Sequence, residues 1–271
     1  METKDLDHQV FMSADRCLAS GPSGYVFAID ETKIMKVMLE TEPEYLGDEA
    51  RERLQLEKSI YERLGKHDRI CEFKYAVDRG HVVQRLNQNL AERLDICVGV
   101  GGPPDIQQGL KWSIQTAEAC AYIHGKGVIK SNLNCRNLYM DNQENIKLCD
   151  FTASSIDGSV PRDKCDAGFG RPGTDANRPD VQDNLFALGS IMYQISTGRE
   201  PSWNSSRSAA HHFEELSTLT LAAVITKCWL GQYRSATEVV TELKAIQGTE
   251  IHLPKQIAKS HITGTDNQEI C

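Results

Sequence analysis

The sequence predicts an α+β protein of two lobes, a small antiparallel sheet with one main helix followed by a larger and mostly helical half. Three observations carry this. Between about residues 10 and 39, short apolar runs alternate with Gly, Ser and Asp turn signals. Over residues 48–67 and again over 105–124, apolar side chains recur at steps of three and four. Residues 184–195, NLFALGSIMYQI, are apolar on nearly every side. Short runs bounded by turn residues make strands, the 3.6-residue period makes amphipathic helices, and a helix apolar all round must be buried. Strands first and helices later segregate into the α+β class.

Taken in order, FMSADRCLASGPSGYVFAIDETKIMKVML reads as three antiparallel strands. In the next segment Leu54, Tyr61 and Leu64 fall near helical spacing and Gly65 stands at the end, so one helix is expected over 48–67. CEFKYAVDRGHVVQRL reads as a hairpin turning at Asp78, Arg79 and Gly80. The character changes after Asn89, which places the join between lobes near residues 85–89, with an N-terminal lobe of about 10–86 and a second lobe of about 89–247. Ile106, Leu110, Ile114 and Ala117 lay one apolar stripe along a long helix. Gly198 is suited to cap the buried helix, and further helices are expected over 219–229 and 235–246. The tail, 248–271, has no clear period and is expected to be partly disordered. The cleft between lobes is the expected ligand site.

Composition narrows the function. The 271 residues are 40% hydrophobic and 25% charged, an ordinary globular balance. A net charge of -8 argues against a nucleic-acid or anionic-membrane surface, because phosphate binding needs clustered Lys and Arg. The nine cysteines are scattered and form no C-x-x-C pair, so most are expected to be small buried groups in a reducing compartment. Neither a secretion signal nor a spanning apolar run is visible, and the expected location is intracellular, cytoplasmic or nuclear.

The chemistry-bearing residues begin at ASGPSGYV, residues 19–26. Gly21 and Gly24 with Val26 fit a glycine-rich loop at two of its three glycines, Ala19 standing in the first place; glycines there let backbone N–H groups approach phosphate oxygens. The same residues also make an ordinary hairpin turn. Lys36 lies ten residues after Val26 in an apolar strand, as either an outward-facing lysine or a buried cation. Glu57, on the helix, is either its ion-pair partner or part of a solvated acidic face. IKLCDF ends a strand at Asp150, thirteen residues past Asn137, so that a short hairpin brings two oxygen donors suited to Mg²⁺ together. Asp183 opens the buried helix and also reads as a helix cap.

In order and approximate spacing, GPSGYV, IMK, LEKSIYERLGKH, YIHGKGVIKSNLNCRNLYMD, IKLCDF, DNLFALGSIMYQISTGREP and KCWLGQY resemble the eukaryotic protein-kinase family from about residue 17 to 246, with a local texture similar to small single-domain kinase-like proteins of fungi. The resemblance implies a bilobal protein-kinase-like fold over 10–247 that binds ATP and Mg²⁺. Gly21, Gly24 and Val26 would cover the nucleotide, Lys36 would hold its phosphates, Glu57 would position Lys36, and Asn137 and Asp150 would bind the metal. Asp183 would brace the catalytic loop from below. A protein substrate or regulated protein partner is implied, of unknown identity. A small-molecule phosphotransferase fits less well, because DNLFALG and KCW follow the protein-kinase pattern.

The departures are concentrated in one loop. Where the family carries H-R-D, this chain reads Lys130, Ser131 and Asn132, so the catalytic base, the activation-loop arginine and the spine histidine are all replaced. An amide can orient a hydroxyl but cannot take its proton. Thr152 replaces the glycine after Asp-Phe, no A-P-E triplet precedes Asp183, and Asn134 stands where serine/threonine kinases carry Lys. Arg136 either supplies phosphate charge or forms a salt bridge. The expected function is therefore an ATP- and Mg²⁺-binding pseudokinase or weakly active kinase. The alternative is an active kinase acting on Ser/Thr or Tyr hydroxyls, with Asp141, Asp150 or Asp163 as a substitute base.

Overall fold

The computed structural model describes residues 14–38, 44–202 and 216–250. Its first part is a five-stranded antiparallel sheet in the order β1-β2-β3-β5-β4, formed by β1 (Cys17–Gly21), β2 (Gly24–Ala28), β3 (Lys33–Val37), β4 (Phe73–Val77) and β5 (Gly80–Gln84). Gly24 closes the first hairpin with a φ of 106°, and a Cβ there would meet the Val37 carbonyl oxygen at 2.5 Å. The residue must therefore be glycine for backbone packing, whatever else it does. In β3 the alternation points Met35 and Val37 into a small apolar cluster with Phe27 and Val82 and turns Lys36 to the opposite face of the sheet, beside His81 of β5. Helix α1 (Glu44–Leu64) lies against β4 and β5, longer at its N-terminus than the sequence period predicts, and Leu54, Ile60, Tyr61 and Leu64 are its buried stripe.

The second part packs α2 (Leu90–Val100), α3 (Ile106–His124), α4 (Val181–Thr197), α5 (Ala222–Trp229) and α6 (Ala236–Glu250) around one large core. Helix α3 begins after Asp105, whose side chain accepts from Gln108 N. Helix α4 is buried at every position from Asn184 to Ile195, as its all-round apolar sequence requires, and ends on Gly198 in the left-handed region, φ 71°. Gly189 lets α5 approach closely: a Cβ there would lie 2.8 Å from that of Cys228. Short hairpins, β6 (Val128–Ile129) with β9 (Ser155–Ile156) and β7 (Leu138–Met140) with β8 (Ile146–Leu148), bring the loops at 130–137 and 149–152 to the seam below the sheet.

Helix α2 was not anticipated as a helix. The expected helices over 219–229 and 235–246 appear as α5 and α6, starting later and, for α6, reaching Glu250. The first residues of the expected first strand, 10–13, and most of the expected tail, 251–271, lie outside the described residues. Among the described residues, no helix is long and apolar enough to cross a membrane.

Candidate active site

A cavity of about 500 Å³ opens where the sheet meets the helical part. Gly21, Gly24 and Val26 line its roof, Lys36 and Glu57 its inner wall, and Asn137 and Asp150 its floor. The stretch leaving β5, Gln84 through Asn87, forms the side.

Lys36 Nζ lies 3.0 Å from Glu57 Oε2 and donates to Asp150 Oδ1 at 2.8 Å. This is a buried ion cluster: the Lys36 side chain is 12% exposed and that of Glu57 2%. Burial opposes the lysine's charge, but Asp150 and Glu57 outweigh it and hold the amine above its ordinary range. Burial likewise opposes the Glu57 carboxylate, and Lys36 with His81 overcomes it, so Glu57 lies below its ordinary value. Asp150 is lowered in the same way, with Lys36 the main force against desolvation.

Glu57 is also fixed from the other side. Its Oε1 accepts the Phe151 N–H at 2.9 Å, and His81 Nε2, directly opposite Lys36 in the β3–β5 register, sits 3.3 Å from Oε2. Phe151, fully buried, meets the Tyr61 ring edge-on at 5.2 Å. Asp150 itself has φ 57°, a conformation a non-glycine residue adopts at a cost. Thr152 helps to hold it, donating Oγ1–H to Asp150 Oδ1 at 2.8 Å. The carboxylate is 43% exposed, leaving Oδ2 toward the cavity. Asn137 donates through Nδ2 to Asn132 O at 2.8 Å, which leaves its amide oxygen for a cation. One carboxylate and one amide oxygen are too few to cage a cation alone but fit Mg²⁺, which keeps waters and shares substrate phosphates.

The catalytic-loop region is built differently. Asn132 does not line the cavity. Its Oδ1 accepts from Asn134 Nδ2 at 2.8 Å, and the amide can exchange hydrogen bonds but takes up no proton as a carboxylate does. Asn134 also donates to Asp166 at 2.7 Å and caps the turn Cys135–Asn137, accepting from Arg136 N and Asn137 N. Arg136 is a salt-bridge residue: it reaches Asp166 at 3.2 Å and Glu200 at 2.8 Å. Lys130 is buried at 1% exposure, and burial lowers its amine despite attraction from Asp150 and Glu57. Ser131 Oγ is buried without a hydrogen-bond partner among the described residues.

Asp183 does not brace this loop. It is the third residue of α4, and its side chain folds back to accept from Asp180 N and Arg171 Nε in a capping box. The next residue performs the bracing: Asn184 Oδ1 accepts from Lys130 N at 3.1 Å and Nδ2 donates to Lys130 O at 2.8 Å. Of the three candidate substitute bases, Asp150 and Asp163 line the cavity, Asp150 paired with Lys36. Asp141 caps its own turn by accepting from Gln143 N and Asn145 N, and Asp163 is paired with Arg53.

Arg53 was not singled out in the sequence, nor were His81 and Asn184. Arg53, 6% exposed on α1, holds Asp163 and the Arg162 carbonyl, tying the segment after Phe151 to the helix that carries Glu57. Arg53 stands four residues before Glu57 and shares its helix face, but the partners that give it a role, Asp163 and Arg162, lie far along the chain.

Residues 14–247 match the protein kinase domain. Local similarity extends to Serine/threonine-protein kinase RUNKEL of Arabidopsis thaliana, 28% identical over 123 residues, 40% of this chain and 9% of that protein. The Serine/threonine-protein kinase US3 homolog of Gallid herpesvirus 2 is 27% identical over 109 residues, 36% of this chain and 26% of that protein. CBL-interacting protein kinase 25 of Oryza sativa subsp. japonica is 31% identical over 99 residues, 32% of this chain and 18% of that protein. The aligned part spans about a quarter or less of each of these relatives.

Proposed function

The chain belongs to the protein kinase domain family, and from that premise we propose that its single domain, 10–247, binds ATP with Mg²⁺ in the cavity and acts mainly as a pseudokinase. In this reading it regulates or scaffolds a protein partner inside the cell through its nucleotide-dependent shape. One observation carries the reading: the Lys36–Glu57–Asp150 cluster is assembled, while the nearby loop offers an amide at Asn132 where a proton acceptor is needed.

Lys36 supplies the cation for α- and β-phosphates, and the glycine turn supplies close backbone approach. Bound Mg²⁺ would supply charge neutralisation, held by Asp150 Oδ2 and the Asn137 amide oxygen. Loss of general-base catalysis costs about 10²–10⁴ in rate, roughly 3–5 kcal/mol of barrier.

The second reading is a slow but genuine kinase acting on Ser/Thr or Tyr hydroxyls. It is favoured by the Glu57–Phe151 hydrogen bond and the Arg53 tether, which keep the positioning apparatus in place with no added phosphate. Phosphoryl transfer depends mostly on positioning and electrostatics, so these features count.

Labelled ATP with Mg²⁺ and generic protein substrates separates the two. The pseudokinase reading expects Asn132→Asp to transfer label at least tenfold faster than the native chain, with Lys36→Met inert. Equal rates for the native chain and Asn132→Asp, with Lys36→Met inert, establish the second reading instead.

A further inference from the structure

Two cysteines that the proposed nucleotide site does not use face each other on its back wall. Cys71 N donates to Leu148 O at 3.0 Å and Leu148 N donates to Arg69 O at 2.8 Å, which pairs Ile70 with Leu148 as a parallel bridge. The next pair in that register is Cys71 and Cys149. Paired residues in a parallel ladder project to the same side of strands roughly 4.8 Å apart, inside the Cα window of about 4.4–6.8 Å that a disulfide requires. Each thiol donates to a backbone carbonyl, Cys71 Sγ to Gln84 O and Cys149 Sγ to Lys147 O, both at 3.5 Å, and both residues line the cavity although neither exceeds 8% exposure.

We propose that Cys71 and Cys149 are a redox site, joined by a reversible disulfide when a small hydroperoxide enters the cavity. In the first step one sulfur takes the peroxide's terminal oxygen as S–OH, the O–O bond breaks, and an alcohol or water leaves. In the second step the other sulfur attacks the sulfenic sulfur, the S–O bond breaks, and water departs with the remaining thiol proton. The two thiols together give up two electrons and the peroxide is reduced. Two small thiols reverse the bond by exchange.

The site is set apart from the other buried cysteines by access. Cys120 and Cys228 are also buried and near one another in the helical core, but neither lines the cavity. A bound nucleotide would exclude the peroxide, an expectation that rests on the proposed function. The bond itself would tie the residue before Asp150 to the segment entering β4.

The test exposes the full chain to hydrogen peroxide without nucleotide, then quenches, alkylates and digests it without reductant. A peptide pair joined through Cys71 and Cys149, lighter by two hydrogens, released by dithiothreitol and missing in Cys71→Ser, is the expected product. Joining should raise the Tm by about 5–10 °C, given the usual stabilisation by a long-loop disulfide. Recovery of Cys71 and Cys149 as separate alkylated or sulfinic residues, at peroxide levels that oxidise the exposed Cys17, overturns the proposal. With millimolar ATP and Mg²⁺ the joining should slow at least tenfold. Joining at an undiminished rate would count against the nucleotide reading and leave the disulfide established.

Discussion

The inner wall of the cavity and the loop at 130–137 lie close together yet handle charge in opposite ways. On the wall, Lys36 stands between two carboxylates, the buried Glu57 and the partly exposed Asp150, and offsets the desolvation of both. In the loop, among the described residues, the buried Lys130 lies in no ion pair and Ser131 Oγ has no hydrogen-bond partner, Asn132 and Asn134 are held by amide hydrogen bonds, and the exposed Arg136 carries the salt bridges, to Asp166 and Glu200. A compensated ion cluster is costly to break because each charge left behind is buried. An amide network holds a loop's shape but moves no proton. The comparison teaches that the contact joining the two lobes, Lys36 to Asp150, is built independently of the loop that presents an amide at Asn132.

The largest effect should come from breaking the wall. Lys36→Met strands the Glu57 carboxylate, 2% exposed, and should cost about 3–5 kcal/mol in urea or guanidinium unfolding. The same wall sets an acid limit. Because the folded state lowers Glu57, its contribution is full above the unfolded carboxylate value and is lost as pH falls below about 4. Native stability should fall there more steeply than that of a Glu57→Gln variant; parallel slopes would show the cluster to be energetically idle.

A smaller effect is expected where the loop is pinned from below. Asn184→Ala leaves the Lys130 N–H and carbonyl buried without partners, which should cost about 2–3 kcal/mol by denaturant unfolding. Asp183→Ala removes only the capping contacts of α4 and should cost about 1 kcal/mol. If Asp183→Ala proved the more damaging of the two, the assignment of the brace to Asn184 would be wrong.

Arg53→Ala should cost about 1–2 kcal/mol and speed amide exchange across residues 159–166, since it releases the Arg162 carbonyl and Asp163. Lys130→Leu runs the other way. Its amine is lowered in the fold, so the unfolded chain binds more protons between the folded and unfolded values, and native stability should rise with pH up to about 10. The variant should gain about 1 kcal/mol at neutral pH and lose that slope, as followed by thermal unfolding across a pH series.

Much of the wall was legible in the sequence because its residues sit in regular elements. Lys36 interrupts an apolar strand, Glu57 lies on an amphipathic helix and Asp150 ends a short strand, so periodicity places each residue on its element, while the resemblance to the kinase family is what pairs them in one site. The loop was less legible because its geometry depends on which of two adjacent polar residues turns inward. Asp183 and Asn184 both suit a helix start, and only the packing of α4 decides that the first caps and the second reaches Lys130. His81 and Arg53 become site residues through partners far away in sequence, a relation no local period records. Helix α2 carries few buried anchors, Leu90 and Leu94, yet Asn89 and Glu92 form a capping box whose spacing was readable.

Thermal unfolding of the native chain with and without millimolar ATP and Mg²⁺ tests most directly whether the compensated wall is a nucleotide site. A ligand present at about a hundred times its Kd stabilises by roughly 2.7 kcal/mol, so the account predicts a Tm increase of about 5–10 °C. An unchanged Tm would contradict it and leave Lys36, Glu57 and Asp150 as a structural clamp.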